Sequence, residues 1–234
     1  MNNTAPEVTL RADGITKIYS SESGPIRVLN HINLELSHGD FITISGPSGC
    51  GKSTLLAVLG ALLEPDSGTV EYDGISPYRL SSKDRAQFRS KNIGFVFQDF
   101  NLVPYLTVRE NILCPGIVNS SNDWGTRTTE LIESLGLSDR SNHYPDQLSS
   151  GEKQRTALAR ALLVEPTIIF ADEPTGNLDQ ENGQRVLDHL TSYANDGATV
   201  MMATHDMDAF NTGNKHLQMD EGSILALIND NGNN

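Results

Sequence analysis

The sequence predicts a mixed α/β fold: a mainly parallel sheet flanked by helices, with antiparallel strands ahead of it and a helical segment inserted into it. Three observations carry this expectation. An alternating run from Phe41 to Ser45 leads through a glycine-rich stretch into an apolar helical pattern with Leu55, Leu56, Val58, Leu59, Leu62 and Leu63. In the last third, short apolar runs at 167–171 and 198–203 alternate with amphipathic helical patterns, as crossover-connected parallel strands do. From 99 to about 160 no convincing strand pattern occurs, so that stretch is expected to be a helical subdomain.

Taken in order, Val8–Ala12 and Ile15–Tyr19 read as two short strands split by Asp13-Gly14, a strong hairpin dipeptide. Residues 20–25 form a turn-rich loop, 27–36 read as a strand again, and 37–40 turn the chain into the Phe41 strand. Pro65–Gly68 and Asp73-Gly74 bracket one more short strand, Thr69–Tyr72. Ser81–Asn92 is polar and helical in pattern, and Ile93–Phe97 is short enough for a buried strand ending at Gln98. Thr107 and Glu110 fit a capping box, and Thr126–Leu135 reads as a helix closed by Gly136. Ser149 and Glu152 form a second capping box, opening a helix with Leu158, Ala161 and Leu162 on one face and a stop at Pro166. A helix over Gln180–Ala194 carries Val186, Leu187, Leu190 and Tyr193, and a last hairpin spans Leu217–Leu225, turning at 220–222. The whole is expected to be one domain over 1–234. A nucleotide-binding core takes 1–98 and 161–228, the helical subdomain 99–160, and a disordered Asn-rich tail 229–234.

The formal net charge of −13 argues against binding nucleic acid through its phosphates, and equally against adhesion to an anionic membrane surface. Two cysteines, Cys50 and Cys114, make no disulfide framework, which fits a cytoplasmic protein. The start, Met1 to Glu7, lacks the basic and apolar parts of a signal peptide, and the longest apolar run is too short to span a bilayer. Membrane association is therefore expected only through a protein partner, without direct insertion.

Gly46, Pro47, Ser48, Gly49, Cys50, Gly51, Lys52, Ser53 and Thr54 contain the phosphate-binding pattern G-x-x-x-x-G-K-[ST] between a strand and a helix. Phosphate oxygens need several converging backbone N–H donors, and glycine lets the backbone approach without a Cβ in the way. The helix N-terminus adds about half a positive charge. Lys52 is expected to reach the β- and γ-phosphates and the Ser53 hydroxyl to ligate Mg²⁺. Asp172 ends an apolar strand, where a carboxylate is placed to hold Mg²⁺, and Glu173 beside it is a candidate for activating water.

Together these residues resemble the ABC ATPase family over most of the chain, about Val8 to Ile228. Gly46–Thr54 looks like its Walker A loop, Ile168–Asp172 like its Walker B strand, and Leu148-Ser-Ser-Gly-Glu152 like its signature motif. Gln98 matches the Q-loop glutamine, a further contributor to the metal site, Gly176-Asn-Leu-Asp179 the D-loop, His205 the switch histidine, and Tyr19 the aromatic that stacks on adenine. Taken singly these also have plain structural readings: Tyr19 as a strand aromatic, Gln98 as a solvated strand end, His205 as a structural histidine. The resemblance implies a P-loop NTPase with a RecA-like core, an antiparallel β-subdomain and an inserted α-helical subdomain. It also implies that two copies sandwich Mg·ATP head to tail, each site combining Lys52, Ser53, Gln98, Asp172, Glu173 and His205 of one chain with Ser149, Ser150 and Gly151 of the other.

The stretches 94–108 and 171–179 are more specifically similar to the lipoprotein-releasing and macrolide-exporting ATPase subunits. They imply integral membrane transporter subunits as partners and a peripheral place on the inner face of the cell membrane. A regulatory ATPase of the cell-division type, acting through a membrane partner without transport, shares the same motifs. In the signature motif the family's usual glycine is replaced by Ser150, and its frequent glutamine by Glu152.

Overall fold

The computed structural model describes residues 8–22, 24–118 and 124–229. In chain order its elements are β1 (Val8–Ser21), β2 (Gly24–Ser37), β3 (Phe41–Ser45), α1 (Lys52–Leu59), β4 (Ser67–Tyr72), α2 (Ser82–Asn92), β5 (Ile93–Phe97), α3 (Val108–Leu113) and α4 (Trp124–Ser134). There follow α5 (Ser150–Leu162), β6 (Ile168–Asp172), α6 (Gln180–Asn195), β7 (Thr199–Ala203), α7 (Met207–Phe210), β8 (Lys215–Asp220) and β9 (Ser223–Asn229). The small sheet is antiparallel, in the order β2-β1-β4. The large one runs β5-β6-β7-β3-β8-β9, parallel from β5 to β8 with β9 antiparallel at its edge.

Strands β6 and β7 are buried on both faces, which is why they read as apolar runs, and β3, which reads as an alternation, is buried from Phe41 to Ile44 as well. The period of two sends successive side chains to opposite layers. Ile168, Phe170, Met201 and Ala203 join the core shared with α1 and the small sheet. Ile169, Ala171, Val200 and Met202 join the core shared with α3, α4, α5 and α6. The helices between 99 and 160 thus pack into the same core as α6 and one face of the large sheet. Phe170, wholly buried at the sheet's centre, belongs to the class of side chains whose truncation to alanine costs about 3–5 kcal/mol.

Register places the site. Phe97 lies opposite Asp172, Asp172 opposite Ala203, and Ile44 opposite Ala203. Four neighbouring parallel strands therefore end level, and the next residues leave the sheet side by side: Gln98, Glu173, the 204–205 pair, and the loop that starts at Gly46. Carboxyl ends of parallel strands are where open α/β sheets bind ligands.

Two local expectations need correction. Asp13-Gly14 does not turn a hairpin: β1 is one strand, bulged there and paired on both edges, and its pairing with β2 runs on to Ser21 opposite Gly24. Gly14, at φ 61°, absorbs the bulge and donates its N–H to Asn33 Oδ1 at 2.8 Å. Helix α1 also stops earlier than its apolar run. Gly60 packs so closely on Phe95 that a Cβ there would lie 2.0 Å from the ring, and the hydroxyls of Tyr72 and Tyr78 take up the carbonyls of Leu59 and Val58. Leu62 is left half exposed beyond the helix end. The expected disordered tail begins inside β9 at Asn229, and from 230 onward it lies outside the described residues. Among the described residues no helix is long and apolar enough to cross a membrane.

Candidate nucleotide site

The 46–51 loop curls because its glycines allow it. Gly46 sits at φ 153°, and a Cβ there would lie 2.2 Å from the Met219 carbonyl oxygen. Gly51 caps α1 in the left-handed region, at φ 106°, with no side-chain cap and no acidic residue in the first turn. The first N–H groups of α1 are thus left without a side-chain acceptor at an electropositive helix end. Lys52 turns back over the loop, its ammonium donating to the carbonyls of Gly46 at 2.8 Å and Pro47 at 3.1 Å. Cys50 is buried, with its N–H spent on the Pro47 carbonyl at 3.2 Å, so it shapes the loop and turns its thiol inward.

An open pocket of about 430 Å³ is lined by Tyr19, Val28, Ser48, Gly49, Gly51, Lys52, Ser53, Thr54, Gln98, Asp172 and Glu173. The small sheet contributes Tyr19 and Val28 as its apolar wall, with Tyr19 42% exposed and free to present its face. Asp172 and Ser53 both line the pocket. Burial raises the Asp172 carboxyl above the usual carboxylate range, the Ser53 hydrogen bond pulls it down, and the Glu173 charge pushes it up again. Glu173 is a non-glycine residue at φ 48°. One of its carboxylate oxygens is held by His205, at 2.7 Å from Nδ1 and 3.3 Å from the backbone N–H. His205 therefore joins the site through Glu173, with its own ring largely exposed.

Ser149, Ser150, Gly151 and Asp179 lie outside this pocket. Ser149 caps α5, and Ser150 is exposed in its first turn. Gly151 presses on α6, where a Cβ would come within 2.5 Å of Asn182 Oδ1. Asp179 caps α6, accepting from the Asn182 N–H at 2.9 Å and from its side-chain amide at 2.7 Å. The signature and D-loop segments thus form one patch at two adjoining helix starts. The Gly151–Asn182 approach and the Glu173–His205 pair carry no signal in the sequence, because each joins residues about thirty positions apart with no local pattern between them.

Residues 29–176 match the family described as ABC transporter. The chain belongs to the ABC transporter family. It is 42% identical over 214 residues to the lipoprotein-releasing system ATP-binding protein LolD 1 of Rhodopirellula baltica, covering 90% of this chain and 93% of that one. It is 42% identical over 219 residues to the LolD of Bacteroides thetaiotaomicron, covering 92% of this chain and 98% of that protein. Among solved structures, a dimeric ATP-binding cassette in a post-hydrolysis state, bound to ADP and Pi, matches with a TM-score of 0.90 at 35% identity. That match covers 96% of this chain and all of the other. The fold is accordingly the P-loop NTPase fold of ABC cassettes, and the chain is an ABC ATPase.

Proposed function

We propose that this chain is the ATP-hydrolysing subunit of a membrane exporter of the lipoprotein-release or macrolide-export type, working as a head-to-tail pair. One observation carries the proposal: Lys52, Ser53, Gln98, Asp172 and Glu173 line one pocket, while Ser149–Gly151 sit apart at another helix start. Such a split site is completed by a second copy. The 42% identity to lipoprotein-releasing ATP-binding proteins over about nine-tenths of the chain supports the finer assignment.

In this reading Tyr19 stacks on the adenine, and the loop amides with Lys52 hold the β- and γ-phosphates. Ser53, Asp172 and Gln98 would hold Mg²⁺, which when bound neutralises phosphate charge. The residues fit a hard cation: they offer oxygen donors, and a cation would favour the charged form of the Asp172 carboxyl that burial disfavours. Glu173 accepts a proton from the attacking water at its carboxylate, and His205 keeps that carboxylate oriented. Lys52 and the partner's signature helix end stabilise charge on the transferred phosphoryl.

Membrane subunits would dock beside residues 98–108, where Tyr105 is 78% exposed and Asn101 lines a groove with Phe95, Phe97 and Pro115. The chain would then sit on the inner face of the membrane, held by its partners. Affinity purification of the chain from native membranes, with identification of what accompanies it, tests the proposal. Recovery of a transporter-type membrane subunit supports it. Recovery of a cell-division membrane protein would replace it with the regulatory reading.

A further inference from the structure

We infer that Gln154 is a positioning residue for Glu173, fixing the loop of the candidate base to the helix that starts at the signature motif. The inference rests on the reading of Glu173 as the base. Gln154 lies on α5, three residues after Gly151 and on the same side of the helix. It is wholly buried, and its Nε2 donates to the carbonyl oxygen of Pro174 at 2.7 Å. Only the NH₂ end of the amide can face a carbonyl oxygen, so its orientation is determined. Its Oε1, also buried, has no hydrogen-bond partner among the described residues. An apolar side chain of that size would fill the space without burying an unpaired oxygen. The amide's contribution here is therefore the single bond to Pro174.

That bond falls at a demanding place. Glu173 holds φ 48°, a conformation that a residue with a Cβ keeps only when its surroundings over-determine it. Three sets of constraints do so. The Glu173 N–H donates to the Ala203 carbonyl at 2.9 Å, and the Gly176 N–H donates back to the Glu173 carbonyl at 3.1 Å. His205 holds the carboxylate. Pro174 has no N–H, so its carbonyl is the main-chain group by which that residue can be held, and Gln154 holds it from α5. A second tether runs parallel: Arg155 donates to Asn182 Oδ1 at 2.5 Å, and Asn182 is bound to Asp179. The first turns of α5 and the loop from 173 to 182 are thereby held together, and of the two ties the Gln154 bond is the one adjacent to Glu173.

The test uses the full chain and steady-state ATPase assays beside ATP-binding measurements. Gln154→Leu is expected to lower kcat by about 10- to 100-fold, as displacement of a reacting group by a fraction of an ångström to 1 Å does, with KM and ATP affinity within about twofold of wild type. In a Glu173→Gln background the same change should cause no further loss of turnover, because it acts through Glu173. Gln154→Glu supplies a second readout that does not depend on Gln154→Leu folding. The introduced carboxyl donates to the Pro174 carbonyl only when protonated, so kcat relative to wild type should rise as pH falls from about 8 to 6, toward the raised pKa of a buried carboxyl. A Gln154→Leu chain with wild-type kcat, a loss shared equally by kcat and ATP affinity, or a flat Gln154→Glu ratio across pH would each overturn the inference. Near-normal turnover in Glu173→Gln alone would instead remove the reading of Glu173 as the base.

Discussion

Helices α1 and α5 both begin next to a glycine, Gly51 at the cap of α1 and Gly151 in the first turn of α5, yet their first turns are finished differently. At α1 the capping position is Gly51, with no side-chain acceptor for the helix N–H groups, no acid in the first turn, and a lysine as the first helical residue. At α5 the cap is reciprocal. Ser149 Oγ accepts from the Glu152 N–H, while the Glu152 carboxylate accepts from the Ser149 N–H at 2.8 Å, from its hydroxyl at 2.9 Å and from Arg140 Nε at 2.8 Å. Burial pushes the Glu152 carboxyl up, but hydrogen bonds from the Ser149 N–H, Arg140 and the Ser149 hydroxyl outweigh it and bring it down to about 2. One helix end is open to an anion, and the other already holds its own. In the head-to-tail pair proposed above, a phosphate from the second copy would be held by the α5 helix end, and the Glu152 carboxylate would weaken that hold.

The contrast can be broken first at its open end. Lys52→Ala removes the cation from the loop, and ATP hydrolysis should fall to background with ATP binding sharply weakened. Labelled-ATP binding and phosphate release measure both, and near-normal turnover would mean that the α1 end is not the phosphate cradle. At the closed end, Glu152→Gln keeps an acceptor for the Ser149 N–H and removes the charge. ATP-driven pairing of two chains should then tighten by about two- to fivefold, the size of a single charge at a helix N-terminus.

The same residue predicts a pH dependence. Its folded-state pKa is depressed, so its stabilising contribution is present above its unfolded value near 4.5 and is lost as pH falls toward about 2. Urea unfolding across that window should show a slope in wild type that is reduced in Glu152→Gln. The smallest effect belongs to Ser150, exposed one residue past the cap. Ser150→Gly should modestly strengthen ATP-driven pairing by letting the partner's phosphate approach, with nucleotide affinity of the single chain unchanged. Weaker pairing in that variant would assign the Ser150 hydroxyl a donor role instead.

Local chemistry made much of this legible in the sequence. The capping boxes at Thr107 and Ser149 depend on residues three apart and form as their spacing indicates. The buried strands around Phe170 and Met201 announce themselves by apolar runs. What escaped was set at a distance. The Asp13-Gly14 turn signal yields to pairing of β1 on both edges, and the end of α1 is fixed by Phe95 and two tyrosines far along the chain. In the site, the residue types were readable but their pairings were not. Glu173 with His205, Glu152 with Arg140 and Gln154 with Pro174 each span a stretch that carries no period or spacing rule.

In the head-to-tail pair proposed above, the open end of one chain and the closed end of another meet across the same nucleotide. Glu173→Gln tests it most directly, since it should keep ATP bound while slowing hydrolysis by about 10²–10⁴-fold. Size-exclusion chromatography with light scattering, run with and without Mg·ATP, should show this variant as a single chain without nucleotide and as a pair with it. A variant saturated with ATP that remains a single chain would contradict the claim.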